Sequence, residues 1–296
     1  RAVLYALFGP TAVGKTGVAL AVAARLRERG GRPVAVSADA LQVYRGLEVL
    51  TGVATPDEQR ALEHRLVSFL PVDARFSAGE YARLAHAEID DLLASGATPI
   101  VVGGTGLYLR AALADLDLKP APPAELRRRW EEEMLARGPE ALHAELARRA
   151  PWAAERVDAR DRSRIVRFLE LHDLGELEPP EGPNRLWTAE TRHPTRLAGL
   201  TMDRDALYER IERRVDAMVA AGAIDEVRRA HAASASETAR KALGFEELLA
   251  GDVEAMKRRT RNYAKRQLTW MRKLPGVELI DVTGARPEDV AARIVP

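Results

Sequence analysis

The sequence predicts an α/β fold in which helices flank a parallel β-sheet and a mainly helical insertion interrupts the core. Short apolar segments of strand length alternate with segments of helical periodicity, as in sheets whose parallel strands are buried. A glycine-rich segment follows the first apolar segment, and prolines followed by charged helical segments break the alternation near residue 120. At 296 residues the chain exceeds a typical single domain, which favours one large domain with an insertion.

The alternation places four strands and three helices in the core. The apolar segments predict strands at residues 2–8, 33–37, 98–102 and 196–201. Helical spacing predicts helices at residues 15–29, 78–95 and 204–221, and residues 204–273 as a whole are expected to be mostly helical. Ser77 fits an N-cap of the second helix, and Gly96 fits its end.

Two proline-rich interruptions bound the insertion. Three prolines occur among residues 120–123, and a second group occupies residues 178–183. Because proline disfavours both helix interiors and central strands, such groups mark boundaries. We therefore expect a helical insertion domain at residues 116–192. The remaining residues, 1–115 and 193–296, are expected to form the core, with a helical and basic C-terminal part.

The composition excludes several classes of protein. Hydrophobic residues make up 46% and charged residues 30%, which is ordinary for a globular protein. The chain has no cysteine, so disulfides, thiolate zinc sites and cysteine nucleophiles are excluded, and its six histidines lack metal-ligand spacing. No apolar run approaches the roughly 20 residues that span a bilayer, and no signal peptide is recognisable. We expect a cytoplasmic protein with no membrane partner.

The most specific motif lies at residues 9–16, which we call the phosphate loop. Its sequence, Gly-Pro-Thr-Ala-Val-Gly-Lys-Thr, matches the pattern G-x-x-x-x-G-K-[ST] between a predicted strand and a predicted helix. The glycines let the backbone wrap around a phosphate, the helix N-terminus attracts anions, Lys15 adds a positive charge and Thr16 can ligate magnesium. The motif predicts phosphate or pyrophosphate binding and leaves the compound open.

Two further loops follow predicted strands, and we expect them to converge on the phosphate loop because ligands of open α/β sheets bind at the carboxyl ends of strands. In the first, Asp39 fits an acid that holds magnesium, a general base or an ordinary N-cap. The second has three glycines within residues 103–106, which favours Thr105 and Arg110 as ligand contacts. A tight connection without function is the alternative.

The C-terminal part carries a strongly basic segment. Residues 257–273 contain eight lysines or arginines and no acidic residue, although the whole chain has a net charge of only +1. Such a segment favours a polyanionic partner, and a solvated basic helix face is the alternative. Tyr263 and Trp270 lie among these cations and favour RNA, because aromatic rings stack on unpaired bases.

Five sequence blocks together resemble the tRNA dimethylallyltransferase family, also called tRNA isopentenyltransferases, of bacterial type. The blocks are residues 9–16, 37–46, 103–108, 164–170 and 265–270. The resemblance implies a P-loop NTPase-like core and transfer of a dimethylallyl group from dimethylallyl diphosphate to the exocyclic amine of the adenosine 3′ of the anticodon. Diphosphate is released and Mg²⁺ is the implied cofactor. The implied partners are the tRNA anticodon stem-loop and dimethylallyl diphosphate, and we expect a monomer.

The resemblance also assigns residues to roles. It implies catalytic roles for Asp39, as the general base, and for Thr105 and Lys15. The implied diphosphate-binding residues are Gly9, Pro10, Thr11, Ala12, Val13, Gly14, Lys15, Thr16 and Arg210, with Thr16 holding the metal. The implied tRNA contacts are Asp39, Ala40, Leu41, Gln42, Thr105, Arg127, Ser163, Arg164, Ile165, Val166, Arg167, Lys241, Ala242, Leu243, Gly244, Phe245 and Glu246, to which the basic segment adds Lys265, Arg266 and Trp270.

The chain departs from the pattern of that family at three places, and other functions stay open. Residues 50–56 replace a segment that usually contains a lysine, Ala40 replaces a serine, and Phe245 stands where tyrosine is common. The alternatives are a P-loop kinase of small molecules, an adenylate isopentenyltransferase that prenylates free AMP, and an RNA-binding NTP switch without catalysis. A kinase or an AMP-prenylating enzyme leaves the basic segment without a role.

Overall fold

The computed structural model describes residues 3–181 and 184–296. These residues form two compact units, a larger one within Arg1–Leu116 and Arg185–Pro296 and a smaller one within Asp117–Asn184. The smaller unit thus ends before residue 192, the limit expected from the sequence. Residues 185–192 bond to the larger unit, since Arg110 donates to the carbonyl of Arg185 at 3.0 Å and Arg192 donates to the carboxylate of Asp90 at 2.8 Å.

A sheet of six strands, parallel in all its described pairings, forms the centre of the larger unit. The strands are β1 (Leu4–Phe8), β2 (Pro33–Ser37), β3 (His64–Arg65), β4 (Thr98–Gly103), β5 (Thr195–Thr201) and β6 (Glu278–Asp281). Their order across the sheet is β3-β2-β4-β1-β5-β6. Phe8 lies opposite Gly103, and Ser37 lies opposite Val102, so the carboxyl ends of β1, β4 and β2 lie side by side.

Helices make up most of the remaining described residues. They are α1 (Lys15–Glu28), α2 (Glu48–Thr51), α3 (Pro56–Ala61), α4 (Ala78–Ala94), α5 (Gly106–Leu113), α6 (Ala124–Arg137), α7 (Pro139–Arg149), α8 (Pro151–Ala154), α9 (Arg162–Asp173), α10 (Arg204–Ala220), α11 (Ala223–Ala232), α12 (Glu237–Arg240), α13 (Phe245–Leu249), α14 (Val253–Lys273) and α15 (Pro287–Ile294). None of the described helices combines the length and the apolar character that crossing a bilayer requires.

The predicted fold class is confirmed, and the structure adds elements that the sequence did not reveal. Ser77 caps α4 as predicted: its hydroxyl accepts from the N–H of Glu80 at 3.2 Å, and the carboxylate of Glu80 accepts from the N–H of Ser77 at 2.8 Å. The strands β3 and β6 were not predicted, because β3 has two residues and three of the four residues of β6 are exposed. Residue 2 of the first predicted strand lies outside the described residues, as do residues 182 and 183 of the second proline-rich group.

The smaller unit packs α6, α7, α8 and α9 around its own apolar core. The largest core side chains include Trp130, Met134, Leu142, Leu146, Ile165 and Leu169. Glu170 is completely buried and forms ion pairs with Arg127 and, at 3.6 Å, with Arg167. Arg127 also donates a hydrogen bond of 2.9 Å from Nη2 to Glu170. The buried carboxylate of this unit is therefore matched by cations.

Candidate active site

A cavity of about 340 Å³ lies in the larger unit, where the loops that follow β1, β2 and β4 meet. Residues of all three predicted loops line it, among them Gly14, Lys15, Thr16, Asp39 and Thr105. The predicted convergence of the loops is thus confirmed. The helices α10 and α14 contribute further lining residues from the C-terminal part of the chain.

The phosphate loop is fixed by its own sequence. Gly14 has a φ of 103°, which glycine adopts without strain. Gly9 approaches β5 so closely that a Cβ atom there would come within 3.1 Å of the Leu200 carbonyl oxygen. Lys15 Nζ donates to the carbonyl oxygens of Gly9 at 2.8 Å and of Pro10 at 3.0 Å. Because α1 begins at Lys15, its first N–H groups have no acceptors within the helix and attract an anion.

Three charged side chains, Lys15, Asp39 and Arg214, line the cavity and are partly buried. Burial lowers the pKa of Lys15 to about 7, an effect that Arg214 strengthens and Asp39 opposes. Burial raises the pKa of Asp39 against the opposing effects of the N–H of Leu41 and the charge of Lys15. Burial also lowers the pKa of Arg214, and Arg214 Nε has no hydrogen-bond partner among the described residues. A bound anion would compensate the positive charges of Lys15 and Arg214.

Asp39 fixes a turn and also lines the cavity. Its Oδ1 accepts from the N–H of Leu41 at 2.8 Å and from the N–H of Gln42 at 3.4 Å, so the carboxylate fixes the turn that follows β2. The same carboxylate lines the cavity. Since both of these hydrogen bonds use Oδ1, Oδ2 is available to act on a ligand as a proton acceptor or as a metal ligand.

The segment in which the chain departs from the family pattern also lines the cavity. Gln42 Nε2 donates to the carbonyl oxygens of Thr51 and Gly52, both at 3.2 Å, and thereby ties this segment to the turn at Asp39. Gly52 has a φ of 67°, and a Cβ atom there would collide with the guanidinium of Arg214. Glycine at position 52 therefore makes room for Arg214 beside the cavity.

Thr105 and Arg110, the two candidate contacts of the third loop, have different positions. Thr105 lines the cavity, and its hydroxyl forms a hydrogen bond of 3.0 Å with the hydroxyl of Tyr263. Arg110 is 1% exposed and is absent from the lining of this cavity. The expectation that Arg110 contacts the ligand there is wrong, because its side chain turns to the carbonyl of Arg185.

Comparison with known proteins assigns this fold and its loops to a family. The family model for IPP transferase matches residues 42–274. The chain belongs to the IPP transferase family. It is 41% identical to the tRNA dimethylallyltransferase of Thermobifida fusca over 285 residues, which cover 92% of this chain and 88% of that protein. It is 39% identical to the tRNA dimethylallyltransferase of Kineococcus radiotolerans over 305 residues, or 99% of this chain and 95% of that protein.

A solved structure agrees with this assignment. The tRNA isopentenylpyrophosphate transferase of Bacillus halodurans matches with a TM-score of 0.70 and 31% identity, over 100% of this chain and 96% of that chain. The resemblance noted in the sequence is confirmed, as is the expectation of a prenyl-transferring enzyme.

In this IPP transferase, most of the residues implied to contact tRNA in the larger unit fall into two groups. The first group lines the cavity and comprises Asp39, Ala40, Leu41, Gln42, Thr105, Lys241, Ala242, Leu243 and Arg266. The second group supports the wall of the cavity. Gly244 leaves room for Met256, Phe245 is buried with the guanidinium of Arg240 over its ring, and Glu246 accepts a hydrogen bond from Arg240 at 2.7 Å.

In the smaller unit of the IPP transferase, residues 163–167 form the first half of α9. The side chains of Ile165 and Val166 are buried in the core, and that of Arg167 donates to backbone carbonyls before α6. The side chains of Ser163 and Arg164 are exposed. Ser163 and Arg164 are therefore the side chains of this segment that are exposed for the implied contact with RNA.

Arg210 and Trp270 pack against the active-site loops. Arg210 Nε donates to the carbonyl oxygen of Ala12 at 2.9 Å and so braces the phosphate loop. The ring of Trp270 lies 5.7 Å from that of Phe8 and 4.7 Å from that of Trp187. The structure gives Trp270 a packing role at the end of the sheet.

Arg214 is a site residue that the sequence reasoning missed. It lies four positions after Arg210 in α10, a spacing that places both side chains on one face of the helix. That spacing is the signal that identifies it in the sequence, because the resemblance implies that Arg210 binds the diphosphate.

The basic residues of α14 also divide into two groups. Lys257, Arg259 and Arg261 form ion pairs with Asp216, Glu247 and Glu212 respectively. Among the described residues no ion pair is found for the exposed cations Arg258, Lys265, Arg266, Arg272 and Lys273. Part of the basic segment therefore stabilises the fold, and part is open to a polyanion.

The cavity offers oxygen donors that suit a hard divalent cation. The hydroxyl of Thr16 and the carboxylate of Asp39 both line it. Within residues 3–181 and 184–296, no group of three or more histidine, aspartate or glutamate side chains could enclose a metal ion. This donor set fits magnesium, which one or two protein oxygens commonly hold together with phosphate oxygens of a substrate.

Proposed function

We propose that this enzyme transfers the dimethylallyl group of dimethylallyl diphosphate to the exocyclic amine of the adenosine 3′ of the anticodon in tRNAs. The observation that carries the proposal is one cavity that joins a phosphate loop to an enclosed carboxylate, Asp39. The names of the relatives, tRNA dimethylallyltransferase, support the choice of donor and acceptor.

The transfer breaks the bond between the allylic carbon and a diphosphate oxygen, and it forms a bond between that carbon and the amine nitrogen. The electrons of the broken bond leave with the diphosphate, and a proton of the amine passes to Asp39. The N–H groups of the phosphate loop, Lys15 and Arg214 stabilise the charge that develops on the leaving group. Asp39 assists because an adenine amine is a weak nucleophile until it loses a proton.

The remaining polar groups of the cavity orient the reactants. A magnesium ion held by the hydroxyl of Thr16 would neutralise part of the diphosphate charge. Thr105, whose hydroxyl is held by Tyr263, is placed to contact the diphosphate or the reacting amine.

The exposed cations of both units provide contacts to tRNA. In the larger unit these are Lys241, Lys265 and Arg266, and in the smaller unit Arg164. A base that reacts inside an enclosed cavity must leave its stack, at a cost of about a few kcal/mol that such contacts offset. We also propose that the enzyme acts as a monomer, because one chain supplies the phosphate loop, Asp39 and Thr105 to the same cavity.

A transfer assay with three acceptors tests the proposal. Dimethylallyl diphosphate labelled in its prenyl group is incubated with the enzyme, magnesium and unfractionated bacterial tRNA, and in parallel with AMP. A third reaction contains ATP in place of the labelled donor. We expect label in tRNA alone, and digestion to nucleosides should place it on the adenosine after the anticodon. Label in AMP, or ATP turnover without prenyl transfer, would overturn the proposal in favour of an adenylate isopentenyltransferase or of a kinase or NTP switch.

A further inference from the structure

One face of α14 lies along the third active-site loop. Tyr263, Gln267 and Trp270 are four and three positions apart, so their side chains project from the same side of the helix. Each meets a different residue of the segment 104–106. Gln267 is the middle residue of the three along the helix, and it also bonds to the phosphate loop.

Gln267 joins this segment to the phosphate loop. Its Oε1 accepts from the N–H of Thr11 at 3.0 Å, and its Nε2 donates to the carbonyl oxygen of Gly104 at 2.6 Å. The residue is only 7% exposed, so both ends of the amide are used inside the protein. A Cβ atom at Gly104 would lie 2.5 Å from Nε2, which shows how closely the amide approaches the loop.

Both bonded groups belong to peptide planes beside the reacting centre. The carbonyl of the Pro10–Thr11 peptide accepts from Lys15 Nζ at 3.0 Å, while the N–H of the same peptide donates to Gln267. This peptide is therefore held from both sides. In the other loop, Gln267 holds the carbonyl of the peptide that precedes Thr105. Because a peptide is planar, the direction of the Thr105 N–H is fixed as well.

We propose that Gln267 is a positioning residue for prenyl transfer. Its carboxamide sets the separation between the phosphate loop and Thr105, and so aligns the leaving diphosphate with the attacking amine. The proposal rests on the function proposed above. Gln267 acts through the two peptides it bonds. Displacement of a reacting group by about 1 Å is enough to lower a rate by about 100-fold, so such a spacer affects the rate more than ground-state binding.

Two substitutions and a matched control test this role. Gln267→Met keeps a side chain of similar length without hydrogen bonds, whereas Asn262→Ala changes an exposed polar residue of the same helix. We expect Gln267→Met to lower kcat by about 30-fold, with the KM for tRNA changed less than about twofold, as for an interaction used in the transition state. It should still bind one inorganic diphosphate per chain. Asn262→Ala should match the wild type.

The second substitution, Gln267→Glu, separates hydrogen bonding from packing. A carboxylate at this position can accept from Thr11 and cannot donate to Gly104, whereas a protonated carboxyl can do both. Burial raises the pKa of the introduced carboxyl, and Lys15, whose Nζ also lies beside Gly104, opposes this shift. The ratio of the kcat of Gln267→Glu to that of the wild type should therefore rise as the pH falls from about 8 to about 6. The same ratio for Gln267→Met should stay constant.

The outcomes that contradict the proposal are distinct from a failure of the proposed function. Gln267 is no positioning residue if Gln267→Met keeps a kcat within about threefold of the wild type, or if Gln267→Glu shows no recovery at low pH. A fall in kcat that only follows a fall in the fraction of chains binding diphosphate would show a purely structural role. Absence of transfer by the wild type itself overturns the proposed function, and with it the inference that rests on it.

Discussion

The core of the smaller unit and the cavity of the larger unit differ in how enclosed charge is compensated. In the smaller unit, the completely buried Glu170 is paired with Arg127 and Arg167. In the larger unit, Lys15 and Arg214 face a cavity, and burial lowers the pKa of both. Removing one partner from a paired buried charge costs stability, whereas an enclosed charge without a partner already costs stability and persists where function uses it. The cations that face the cavity therefore differ from Arg127 and Arg167 in that no ion pair is found for them among the described residues.

The largest effect is expected from Asp39→Asn. The amide keeps an oxygen that can accept from the N–H of Leu41, so the turn should be preserved. It cannot take the proton of the amine, so we expect kcat to fall by about 100-fold or more, as for loss of a general base. Transfer rates at saturating substrates, with tRNA affinity measured alongside, check this. Activity within about threefold of the wild type would show that Asp39 is not the base.

In the smaller unit, Glu170→Gln should affect stability and not chemistry. The substitution leaves Arg127 and Arg167 without their buried anion, so we expect the free energy of unfolding to fall by about 2 kcal/mol. Denaturant unfolding followed by tryptophan fluorescence measures this, and Glu132→Gln, which affects only an exposed ion pair of α6 with Arg128, is the control. Equal stability of the Glu170→Gln and control variants would break the contrast between the two units.

In the larger unit, Arg214→Met should show the opposite combination. It removes a cation for which no ion pair is found among the described residues, so the melting temperature without ligand should be no lower than that of the wild type. The affinity for inorganic diphosphate should fall by about tenfold, as expected for loss of a charged contact. Calorimetry provides both values. A clear loss of stability with unchanged diphosphate affinity would make Arg214 a structural residue.

The smallest effect is expected on α14, where paired and unpaired cations lie on one helix. Lys265→Gln removes an exposed cation and should reduce the slope of log affinity for tRNA against log salt by about one. Lys257→Gln removes an amine that is bound to Asp216 at 2.9 Å and to Glu254 at 3.3 Å, and it should leave the slope unchanged. Equal slopes for the two variants would remove α14 from the proposed tRNA contacts.

The phosphate loop and Asp39 could be predicted from the sequence because glycines and a carboxylate directly follow buried strands, and β1, β2 and β4 then bring these ends together. Arg214 and Gln267 could not, because a helix rich in polar residues does not reveal which of them faces the core. The prediction that Arg110 contacts the ligand was wrong for the same reason. Its position after a glycine loop in the sequence does not show on which side of α5 its side chain lies. The short edge strands β3 and β6 carry too few apolar residues to be recognised.

Titration of the wild-type enzyme with inorganic diphosphate, with and without magnesium, tests the central claim most directly. That claim is that the enclosed cations of the cavity bind a diphosphate. The account predicts one saturable site per chain. It also predicts a rise in melting temperature on binding, equivalent to about 2.7 kcal/mol at a free concentration about 100 times the Kd. The Arg214→Met variant should bind inorganic diphosphate more weakly than the wild type. Absence of binding, or equal binding by the wild type and a variant that lacks both Lys15 and Arg214, would contradict the account.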